Sequence, residues 1–79
     1  MEEKVKSLQE KKTGDTTFVG IVLAKDWWKN WSYPVLPIDF VVCKWFDFHD
    51  GIRSHIEGKQ TVAICKEKED AVLIFNKTN

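Results

Sequence analysis

Few side chains in this sequence are of types that could do chemistry, and the densest group of them precedes one glycine. Asp47, His49 and Asp50 stand just before Gly51, two carboxylates and an imidazole that could polarise a water molecule or hold a hard cation through oxygen. In a hairpin the same residue types supply turn hydrogen bonds and solubility, and that is the favoured reading. A second set, Cys43, His49, His55 and Cys65, is two thiols and two imidazoles, the ligand stock of a tetrahedral zinc site. Their spacing lacks the close pairs with which one turn presents two ligands together, so neither a metal nor a cofactor is expected. Ser54 and His55 are adjacent, and neighbours on a strand point to opposite faces, which forbids a nucleophile and base pair there. The chain holds no glycine-rich phosphate loop, no His-Glu-x-x-His, no Gly-x-Ser-x-Gly and no Cys-x-x-Cys. A protein without catalytic activity is expected.

Chemistry of recognition is better represented. Residues 25 to 37, KDWWKNWSYPVLP, carry three of the four tryptophans, the only tyrosine and both prolines. Trp27, Trp28, Trp31 and Tyr33 are interleaved there with Lys25, Lys29 and Asn30. Such rings can close over a core, each burying ~150 to 250 Å², or stand out as anchors of a contact surface. Two adjacent tryptophans cannot easily both point inward, and Trp45 and five phenylalanines already supply bulk. At least one ring is therefore expected to be exposed or half exposed. The expected partner-binding set is Trp27, Trp28, Trp31, Tyr33, Lys25 and Lys29. An alternative use of the same rings is stacking on single-stranded bases, with Lys25, Lys29, Arg53 and Lys59 following the nucleic-acid backbone.

The elements that must position these residues are readable in part. Residues 1 to 12, MEEKVKSLQEKK, are mostly strong helix formers with Val5 and Leu8 on one side, which predicts a short N-terminal helix or frayed arm ending near Gly14. TTFVGIVLA (16 to 24) and IDFVVCKWF (38 to 46) are strands, apolar at both parities. The prolines at 34 and 37 make the intervening stretch a long loop or edge segment, in which Asp26 could cap one helical turn containing Trp27, Trp28 and Trp31. Asp50-Gly51 signals a hairpin, IRSHIE (52 to 57) alternates as a half-buried strand should, and Gly58-Lys59-Gln60 is expected to turn the chain. QTVAICKE and AVLIFN then form a third hairpin around Lys68-Glu69-Asp70. The sum is one domain over residues 1 to 79, mainly β (α+β): the short helix, then a β body over 16 to 76 with about five antiparallel strands in meander order. A small bent sheet or partial barrel of SH3-like or Sm-like architecture suits that order.

Composition bounds the function. Twelve basic and twelve acidic residues among 79 leave a formal net charge of zero, balanced almost segment by segment, so nucleic acid is disfavoured as a partner. No window approaches the ~18 apolar residues of a membrane span. Residues 1 to 12 lack the apolar core of a signal peptide, which places the chain in the cytoplasm as an expectation. Cys43 and Cys65 lie inside apolar runs and are expected as buried free thiols. Together these features predict a small non-catalytic binding module whose partner is a protein. A homodimer through a sheet edge or face is a further expectation, and the role suits an inhibitor or adaptor such as a phage or mobile element encodes.

Overall fold

A four-stranded antiparallel sheet forms the body of the computed structural model, which describes residues 5–30, 32–50 and 53–79, with the backbone alone for residues 49, 50, 53 and 54. The strands follow chain order as a meander: β1 (Gln9–Lys12), β2 (Thr17–Leu23), β3 (Phe40–Asp50) and β4 (Arg53–Cys65). A single helical turn, α1 (Ala24–Trp27), follows β2, and α2 (Lys68–Lys77) follows β4. The central strands β2 and β3 are apolar at both parities because both faces of the sheet are covered, as a continuous apolar run demands.

Each face has its own core. On one, Val19, Ile21 and Val42 pack with Cys65 under Ala71 and Phe75 of α2. A ten-residue helix is marginal alone in water, so this apolar seam is what holds α2 in place. Lys11 fastens the same helix from β1, donating to the Phe75 carbonyl at 2.8 Å with its Nζ 4.8 Å from the centre of the Phe75 ring. On the other face, Val22, Val41, Cys43, Trp45 and Ile56 pack with Ala24 and Trp27 of α1. Trp45 stacks on Phe18, with centroids 5.9 Å apart, and meets Trp27 at 6.3 Å and 53°. Gly20 is required beneath it, since a Cβ there would lie 2.7 Å from the Trp45 ring.

The mainly β meander and the strands around residues 17–23 and 40–46 agree with the sequence reading; three elements differ. Residues 9–12 are not helical. They form β1, pairing Gln9 with Ile21 through Lys12 with Phe18, because an unpaired β2 edge outweighs the local preference of QEKK. The chain does not turn at Gly58. That residue sits inside β4 at φ 61, a left-handed conformation suited to glycine, and the ladder to β3 shifts register between Lys44 and Phe46 while the strand continues. Finally, the segment AVLIFN is helix and not strand: Ala71 and Phe75, four residues apart, bury one face of α2 while Leu73 stays exposed. Four strands result among the described residues, and the sheet stays open with β1 and β4 as its edges. The hairpin expected at Asp50-Gly51 joins β3 to β4 with Asp50 opposite Arg53, and the connecting residues 51 and 52 lie outside the described residues.

Candidate binding site

The aromatic stretch divides between core and surface within two residues. The turn of α1 spans Ala24–Trp27, so Asp26 falls inside it and is no N-cap. Trp27 is 7% exposed; its Nε1 donates to the Thr61 Oγ1 of β4 at 3.1 Å, and Lys59 Nζ lies 5.2 Å from its ring centre. Trp27 is thus a core ring that ties α1 to β4. Trp28, one residue on, has left the helix with extended backbone and is half-buried against the same core. Tyr33 is 89% exposed, and Lys25 and Lys29 are exposed. Trp31 lies outside the described residues.

Trp28, Asn30, Ser32 and Val35 of the loop, with Ile64 of β4, line an open cleft of about 250 Å³. Sequence reasoning missed Val35 and Ile64. Ile64 pairs with Val41 within an apolar run, yet Ile64 is 43% and Val62 42% exposed, while Cys65 of the same strand is buried under α2. Leu36 and Ile38 add further exposed apolar surface on the loop.

The loop holds its shape through one carboxylate. Asp39, 2% exposed, accepts from the Leu36 amide at 2.8 Å and from Lys66 Nζ, and Lys66 also donates to the Pro34 carbonyl at 2.7 Å. The Leu36 amide, then the Lys66 ammonium, hold the Asp39 carboxyl below its ordinary value, against the opposing effect of burial. Backbone bonds complete the clasp: Val35 to Ser32 at 3.0 Å, Asp39 to Leu36 at 3.0 Å, and Lys25 to Pro37 at 3.1 Å, donor first.

The four-ligand set Cys43, His49, His55 and Cys65 does not assemble. Cys43 is buried in the α1-side core and Cys65 in the α2-side core. The two thiols are therefore on opposite faces of the sheet and cannot share a metal or a disulfide. Both are free and buried, as their apolar surroundings imply. Burial pushes the Cys43 thiol up to about 12, with Lys59 and the Gly20 carbonyl contact pulling weakly the other way; burial and then Asp70 raise Cys65. His55 is exposed and pairs with Glu57 at 3.0 Å on β4. Asp47 is half-buried, its Oδ1 without a hydrogen-bond partner among the described residues. The side chains of His49 and Asp50 lie outside the described residues, as do those of Arg53 and Ser54.

Fold and cleft together define a small mainly β domain, an open four-stranded meander with an aromatic loop across one face. No family model, no curated protein and no solved structure matches the chain. No helix among the described residues is long and apolar enough to cross a membrane.

Proposed function

We propose that this chain is a non-catalytic binding module that engages a protein partner where the aromatic loop meets β4, in the manner of an inhibitor or adaptor. The observation that carries this reading is the clustering of exposed apolar groups at one place. The Trp28–Val35–Ile64 cleft adjoins Val62 on β4, and its loop also carries Tyr33 and Leu36. A half-buried tryptophan beside an exposed tyrosine gives a partner large contact area at small cost in side-chain entropy. Lys25 and Lys29 contribute charge at the rim, and Trp27 acts from below as a positioning residue.

The test is affinity capture from the cell that makes the protein, comparing the natural chain with Trp28→Ala and Tyr33→Ala. Both variants are expected to stay folded, with Trp28→Ala lowering the melting temperature by no more than about 4 to 8 °C, and to lose the captured partner. Retention of that partner by both variants would remove the loop from the interface. Base stacking by the same rings is the competing reading; tryptophan quenching by oligothymidylate that reverses with salt would favour it over a protein partner.

A further inference from the structure

The two edges of the sheet are unlike each other. β1 is four residues long and reads QEKK, with Glu10 and Lys12 exposed and Lys11 tied to Phe75, the short charged form that blocks strand addition. The last five residues of β4, Thr61–Cys65, read TVAIC and carry no charge, a run of about 17 Å at strand rise. Their open side receives no backbone hydrogen bond from the loop among the described residues. Val62 and Ile64 are exposed there, and Ile64 forms one wall of the cleft. Two lysines lie near this run. Lys59 stands over the ring of Trp27, whose indole is bonded to Thr61 at the start of the run, and exposed Lys29 stands in sequence between the cleft residues Trp28 and Asn30. Neither pairs with a carboxylate among the described residues. The buried acid nearby, Asp39, is already occupied by Lys66 and the Leu36 amide.

We infer that the β4 edge at Thr61–Cys65 is a peptide-docking site that takes an extended, acid-flanked segment of a partner protein as an added antiparallel or parallel strand. The backbone of the segment pairs with the free ladder of β4, an apolar side chain enters the Trp28–Val35–Ile64 cleft, and flanking carboxylates meet Lys59 and Lys29. This rests on the protein-binding reading above and goes further by naming the form and charge of what is bound.

Selection of random dodecapeptides displayed on phage against the whole chain, with counter-selection on Ile64→Glu, tests it. Enriched sequences are expected to alternate apolar residues between acidic ends. As synthetic peptides they should shift the amide signals of residues 61–65 and bind about tenfold more weakly when their acids are changed to lysine. Val62→Lys, which places a charge on the edge, should weaken them about as much without altering the far-ultraviolet dichroism. The proposal is overturned if no peptide survives counter-selection, if the survivors lack acids or bind equally with lysines, or if the shifts fall on α2 or the Phe46–Phe48 hairpin. Light scattering that reports a dimer lost in Val62→Lys would give the edge to a second copy and overturn it equally. Loss of a captured partner by Trp28→Ala alongside failure here would leave the loop reading standing and remove only the strand-addition claim.

Discussion

Replacing Trp27 separates the two roles that the aromatic stretch could play. Its indole is almost fully buried among Val22, Val41, Cys43, Trp45 and Ile56, and a tryptophan-to-alanine change in such a place costs ~3 to 5 kcal/mol through lost transfer energy and the cavity left behind. A chain of this length has a total stability of about 4 to 12 kcal/mol, so Trp27→Ala is expected to fall between marginally folded and unfolded. Trp28→Ala removes a ring that is only half-buried and should cost about 1 kcal/mol. Trp27→Phe keeps an aromatic ring against Trp45 and deletes the Nε1–H bond to Thr61. In a double-mutant cycle with Thr61→Val, the coupling should be ~0.5 to 1.5 kcal/mol. The assay is urea unfolding followed by far-ultraviolet circular dichroism, which does not depend on the tryptophan removed. A cost below about 1 kcal/mol for Trp27→Ala, or a larger cost for Trp28→Ala, would refute the division of the stretch into core and surface.

Other outcomes follow from single contacts. Gly20→Ala places a methyl 2.7 Å from Trp45 and 3.1 Å from the Gln9 carbonyl; since Trp45 is wedged between Phe18 and Trp27, the strain cannot relax and stability should fall by ~1 to 3 kcal/mol, measured by the urea midpoint. The lowered value of Asp39 means its clasp stabilises the loop at neutral pH and releases it as pH falls through a point below the ordinary 3.8. The difference in melting temperature between the natural chain and Asp39→Asn should therefore be present at pH 7 and vanish in strong acid. Cys43, raised from 9.0 to about 12, binds its proton more tightly folded than unfolded, so its contribution to stability is full below pH 9 and disappears as pH rises toward 12. Disulfide reagents at pH 8 should label Cys43 only after unfolding.

The parts of the fold that were legible in the sequence are those in which local preference and tertiary demand coincide. β2 and the first half of β3 are β-branched, apolar at both parities and covered on both faces. The alternation of His55, Ile56 and Glu57 is reproduced as exposed, buried, exposed. Where preference and demand part, the reading fails. QEKK favours helix in isolation, yet Gly20 and Ile21 need a partner strand. AVLIFN is rich in strand formers, and its continuous apolar run conceals that only Ala71 and Phe75, one helical turn apart, are fully buried. The acidic residues before it, Glu69 and Asp70, fall in the first turn of α2, where a helix dipole favours them, and that was the available signal. At Gly58 the glycine marks a kink within one strand and not its end. In the candidate site, Trp28 and Tyr33 were foreseeable from composition, whereas Val35 and Ile64 depend on how the loop folds back over β4, which the clasp of Asp39 and Lys66 across 27 residues determines.

The most direct test of the binding-module account is site-specific photo-cross-linking in the producing cell, with a benzophenone side chain placed at position 33 in the loop or, as the control, at exposed position 73 on α2. Cross-links to one protein from position 33, absent from position 73 and lost when Trp28→Ala is added, are the predicted result. Cross-links from position 73 with none from position 33 would contradict it.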